Sequence, residues 1–155
     1  MNQKKKVDCY REAAKAVVAA GLNIYLPDRS QSFAGAPADL LESVLISHLS
    51  GTIAVKFWID PEWTLAKDSL TYAQVFPLLI YLCPDDPEDR KAKFRKCFKA
   101  ATACVRYCET YIKAAALALE DDSGMDSVKL RRLCRSFFEE PAGRGGGCFG
   151  CGGAL

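Results

Sequence analysis

The sequence predicts an all-α fold: an antiparallel four-helix bundle with a short outer β-strand and a flexible Gly/Cys-rich C-terminal tail. Three observations predict it. Between Pro84 and Glu120 the residues Phe94, Phe98, Ala101, Val105, Cys108, Ile112, Ala115 and Leu119 recur at alternating steps of four and three, on one stripe of a helix. Apolar residues recur at helical spacing in three further segments. From Pro141 onward glycine dominates, and such a composition does not pack as regular structure. The boundaries are therefore one helical domain over residues 1–140 and a tail over 141–155.

The first helix is expected over Val7–Ala20, with Asp8 as its cap, Tyr10, Ala13, Ala14, Val17 and Val18 inward, and Gly21 as its stop. Residues 27–36 carry Ser, Gly and Pro and read as a loop around Phe33. Pro37 opens a second helix through Leu49, ended by Ser50-Gly51. In Thr52–Trp58 the residues Ile53, Val55 and Phe57 alternate with Ala54, Lys56 and Trp58, the pattern of a short strand. A third helix is expected over Asp68–Cys83, either kinked at Pro77 or beginning just before it. Asp86, Pro87, Glu88 and Asp89 supply a cap, a first-turn proline and acids for the start of the long helix. That helix would extend roughly 50 Å. A short connection from the third helix favours antiparallel packing. A last amphipathic piece covers Met125–Glu140.

Half of the 155 residues are apolar and a quarter are charged, a globular composition. The net charge of +2 gives no bulk affinity for nucleic acid, so any such role rests on local clustering. The longest apolar run, Val75–Cys83, falls well short of the ~20 residues a membrane helix needs. No signal-peptide core follows the charged N-terminus, and a soluble intracellular protein is expected. Eight cysteines occur, at 9, 83, 97, 104, 108, 134, 148 and 151. Most read as small buried hydrophobes. Cys148 and Cys151 form a CxxC, but zinc usually needs four ligands and the only histidine, His48, is distant. No metal or other cofactor is expected, with Cys148 and Cys151 as the weak alternative. His48 has no Cys, Ser or carboxylate motif beside it and reads as a surface or packed residue. Without a P-loop, a dinucleotide fingerprint or a Ser/His/Asp order, the chain does not read as an enzyme and no small-molecule substrate is expected.

The motif that carries chemistry is the basic start of the long helix: Arg90, Lys91, Lys93, Arg95, Lys96 and Lys99, interleaved with Phe94 and Phe98. Cations within reach of phosphates and aromatics on which bases stack are what single-stranded nucleic acid requires. The plain alternative is a solvated face over core phenylalanines.

The order of several segments resembles the coat proteins of rod-shaped plant RNA viruses, the tobacco mosaic virus type. Phe33 and the helix Pro37–Leu49 resemble that family's second short helix and its preceding aromatic. Ile53-Ala54-Val55-Lys56-Phe57 is similar to its outer strand. Val75-Phe76-Pro77-Leu78-Leu79 resembles the start of its first long helix, Ala101-Thr102-Ala103-Cys104-Val105-Arg106 the centre of its second, and Arg135-Ser136-Phe137-Phe138-Glu139 its C-terminal segment. The loop between the two long helices is much shorter here, and the tail is unlike the family's. The resemblance implies a structural capsid protein that assembles with many copies of itself into a helical rod and packages single-stranded RNA between subunit layers, in the virion and the host cytoplasm, with no membrane. It implies that Asp85 or Asp86 pairs with Arg106 near the RNA radius, with the basic cluster nearby. It also implies carboxylates that repel across subunit contacts as a disassembly switch. The alternative is a small Cys-rich viral accessory protein that binds RNA or a host factor, with zinc at Cys148 and Cys151.

Overall fold

The computed structural model describes residues 2–26, 33, 35–122 and 124–139. The tail over 141–155, with Cys148 and Cys151, lies outside the described residues. Among the described residues six helices follow one another: α1 Gln3–Gly21, α2 Ala38–Trp58, α3 Ser69–Leu82, α4 Pro87–Tyr107, α5 Glu109–Asp121 and α6 Ser127–Ser136. The fold is all-α.

At the centre lies α2. Leu45, Leu49 and Ile53 on one line and Val44, Ala54 and Val55 on others are all essentially inaccessible. The helix is packed by α1, α3 and α4 and is therefore apolar on several sides. It is long and apolar enough to cross a membrane by length and composition, but most of it is buried inside this fold.

The expected outer strand Thr52–Trp58 is instead the second half of α2. Thr52–Val55 are buried on every side of the helix while Lys56 and Phe57 are exposed, and such a run of apolar residues mimics the alternation of a half-buried strand, so period alone misleads here. The expected break at Ser50-Gly51 is absent as well. The Ser50 hydroxyl donates to the Ile46 carbonyl at 2.8 Å, and Ser47 to Ser43 at 2.9 Å, both inside the helix. Gly51 marks the crossing with α1. A Cβ built there would meet Arg11 Cγ and Lys15 Cε at 2.8 Å.

The long helix over Pro84–Glu120 is divided. At Cys108 the backbone turns to φ −97°, ψ 14°, although its N–H still reaches the Cys104 carbonyl. The step redirects the chain: α4 packs on α2, whereas α5 packs on α1. Of the predicted stripe, Ala101, Val105, Cys108, Ile112 and Ala115 are buried and Phe94, Phe98 and Leu119 are half-buried; Cys97, Cys104 and Ala116, outside the stripe, are buried too.

Other boundaries shift modestly. α1 begins at Gln3, where the Asn2 side chain accepts from the Lys4 N–H; Asp8 is inside the helix and pairs with Arg11. Pro77 lies well inside α3 rather than in its first turn. α3 starts at a buried cap: Asp68 accepts from the Thr71 N–H and from the Thr52 hydroxyl, and Arg11 Nη1 stands 3.6 Å away. Three helices are thereby tied at one carboxylate.

Candidate nucleic-acid and assembly interface

The start of α4 forms as its residues dictate. Asp86 accepts from the Glu88 N–H, Pro87 occupies the first turn, and Glu88 and Asp89 face the positive end of the dipole. The six basic residues that follow do different work.

Arg90 is half-buried and donates to the carbonyls of Cys83 at 2.9 Å and Pro84 at 3.1 Å, closing the end of α3. Lys93 pairs closely with Glu42 of α2, and Lys96 stands 3.7 Å from the other oxygen of the same carboxylate. Burial pushes the Glu42 carboxyl up, but the Lys93 hydrogen bond and the two ammonium charges outweigh it and hold it below its ordinary value. Lys93 is raised in turn, first by that hydrogen bond. Lys93 thus joins α4 to α2, while Lys96 stays largely exposed beside the pair. Lys91, Arg95 and Lys99 are exposed at four-residue intervals and form a row about 6 Å apart along α4. Lys91 has an exposed partner in Glu88 at 3.1 Å; Arg95 and Lys99 make no ion pair among the described residues.

Beside this row runs a shallow groove of about 370 Å³. Phe76 and Leu79 of α3 and Pro87 and Phe94 of α4 make its floor; Arg90, Lys91 and Arg95 make its rim. Phe94 packs against Phe98 at 5.7 Å between centroids, and both rings also lean on the core. Phe76 is 47% exposed and stacks on Tyr72 at 5.8 Å. It continues into an exposed apolar face of α3 that includes Leu70, Ile80 and Tyr81.

The expected pairing of Asp85 or Asp86 with Arg106 does not form. Asp86 caps α4 and Arg106 lies at the opposite end of the same helix, about 30 Å away at ~1.5 Å per residue. Arg106 is exposed, with its guanidinium 5.5 Å from the centre of the Phe57 ring. Asp85 is exposed in the turn before α4.

His48 is packed rather than exposed, and it sits beside a residue the sequence reading passed over. Lys15 is 4% exposed and donates to Gln74 Oε1 at 2.8 Å. Its signal was legible: a lysine between Ala13-Ala14 and Val17-Val18 falls on the buried side of α1. Cys9, Cys97, Cys104, Cys108 and Cys134 are free and buried, and Cys83 is half-buried.

Comparison with protein-family models, with curated proteins and with solved structures gives no match.

Proposed function

We propose that this chain is a structural subunit that associates with copies of itself and binds single-stranded RNA along the α3–α4 groove, in the manner of a helical capsid protein. The observation that carries the reading is the groove: an aromatic floor at Phe76 and Phe94 with the cations Arg90, Lys91 and Arg95 on its rim. Bases stack on such a floor while phosphates release counterions to such a rim. The exposed set is smaller than the six-residue cluster, because Lys93 is committed to Glu42 and Arg90 to the carbonyls of Cys83 and Pro84; Lys96, 3.7 Å from Glu42, stays exposed. The exposed face of α3, with Leu70 at 60%, Tyr81 at 52% and Tyr72 at 49% accessible, supports the self-association half.

A second reading has specific support. The helix at Thr52–Trp58 and the separation of Asp86 from Arg106 depart from what the coat-protein resemblance implies. They favour a small accessory protein that uses the same groove for RNA without building a rod.

Sedimentation and negative-stain electron microscopy, with and without RNA, separate the two. Rods, discs or other large assemblies that vanish in Tyr72→Glu/Phe76→Glu, with helical content unchanged, support the capsid reading. Small particles under every condition overturn it. Replacing Lys91, Arg95 and Lys99 by Gln should lower the slope of log affinity against log salt for single-stranded RNA by about 2. An unchanged slope removes the RNA assignment.

A further inference from the structure

We propose that the cavity between α1, α2, α3 and α6 is a binding site for a phosphomonoester, with Lys15, Arg131 and Arg135 as the groups that recognise its phosphate. The cavity has a volume of about 160 Å³. It lies apart from the α3–α4 groove, and the inference does not depend on the function proposed for that groove.

Three cationic side chains line this space against one carboxylate, Glu12. Lys15 is the deepest of them. Its ammonium donates to Gln74 Oε1, while the Glu12 oxygen is 3.9 Å away on a half-exposed side chain. A buried ammonium with so distant a counter-charge is poorly compensated. Burial first, then Arg11, lowers its pKa, despite Glu12 and Asp68. An anion placed in the cavity supplies the missing charge.

His48 lines the same space at 7% exposure, and its Nδ1 is buried with no hydrogen-bond partner. It is neutral, because burial and then the Lys15 charge push its pKa down to about 3. Two arginines stand on α6 at four-residue spacing, so both reach one side of the cavity. The Arg131 guanidinium is held 3.9 Å over the Tyr25 ring, which orients it without neutralising it. Arginine forks suit phosphate oxygens, and the cationic excess matches a dianion better than a single carboxylate.

The remaining wall is mostly apolar, with Ala16, Ala19 and Ala20 of α1 beside Ile24 and Leu26, and α6 adds Leu130 and the polar Ser127. A cavity near this size accommodates a group about as large as benzene. It therefore takes the phosphate and the first carbons of its ester, and the rest of the molecule projects through the mouth. A free sugar phosphate or nucleotide and the 5′ end of an RNA present the same head group.

Titration of the full chain by isothermal calorimetry tests the site. The probes are inorganic phosphate, adenosine 5′-monophosphate, and one oligoribonucleotide with either a 5′-phosphate or a 5′-hydroxyl. Saturable phosphate or monophosphate binding, weakened at least about tenfold in Arg131→Ala/Arg135→Ala, is the expected result. The groove variant Lys91→Gln/Arg95→Gln/Lys99→Gln should bind phosphate as the native chain does. Preference for the 5′-phosphorylated oligonucleotide over both its 5′-hydroxyl form and the free monophosphate would assign the site to RNA ends; equal binding of the two oligonucleotides with tight monophosphate binding would assign it to free metabolites. Lys15→Met retains the buried stem and should abolish binding. No saturable binding by any probe, or unchanged affinity in the double arginine variant, overturns the proposal.

Discussion

His48 sits inside α2 with Lys15 beside it, and burial followed by that charge takes its pKa from an ordinary 6.5 to about 3. Between these values only the unfolded chain takes up the proton. Stability is therefore unaffected above pH 6.5 and falls as the pH drops from 6.5 towards 3. The loss should reach about 2 kcal/mol at about pH 5, from ~1.4 kcal/mol per unit. Glu42 and Asp68, both held below their ordinary values, lose their contributions only at lower pH and do not mask the slope. Urea unfolding of the native chain and of His48→Gln at about pH 7 and about pH 5 checks this. The native protein should show the difference and the variant should lose most of it; equal pH dependence in both would place the proton elsewhere. The sequence showed one histidine on an apolar helix. It did not show the ammonium beside it, because Lys15 reaches His48 only after α1 has crossed α2.

That crossing is the feature of the elements most sensitive to volume. Gly51 sets its closeness, since an added Cβ would stand 2.8 Å from Arg11 Cγ and Lys15 Cε and 3.0 Å from the Arg11 carbonyl oxygen. Both neighbours are buried, and the carbonyl is helix backbone, so neither yields freely. Gly51→Ala should destabilise the fold by about 1–3 kcal/mol, despite the ~0.5–1 kcal/mol that alanine normally adds to a helix. A lower urea midpoint with unchanged m-value is the expected reading; a higher midpoint would mean the helices can separate at little cost. The same glycine explains what the sequence conveyed and what it concealed. The helix start at Asp86-Pro87 was legible because capping is local chemistry; the buried cap at Asp68 was not read as one. The continuation of α2 through Ser50-Gly51 was not legible, since its reason is the approach of another helix. The groove repeats this lesson: Arg95 and Lys99 could be found by charge clustering, but the commitment of Lys93 depends on Glu42, about fifty residues earlier in the chain.

Over the whole molecule, α1 and α2 form the centre, α4 and α5 wrap it as two segments of one redirected rod, and α3 presents aromatic side chains outward. The long periodic stripe made the centre of the α4–α5 core face legible, from Ala101 to Ala115. Its division at Cys108 was not legible, because the stripe continues in register across the step while the packing partner changes from α2 to α1. The core also holds thiols. Burial raises Cys97 and Cys104 to about 11 and Cys134 to about 12, and raises Cys108 further with a contribution from Cys104. Alkylation requires the thiolate and access, and these four have neither in the folded state. Cys83, at the end of α3, is half-buried. Under mild alkylation followed by peptide mass spectrometry, Cys83 should label first among the thiols of the described residues, and the core thiols together, at a rate set by global opening. Early labelling of Cys108 alone would instead reveal a local hinge where α4 meets α5. Small buried thiols thus act as an integrity gauge, by which the fraction of opened molecules can be followed in any mixture through the chain's own side chains, with no engineered reporter site.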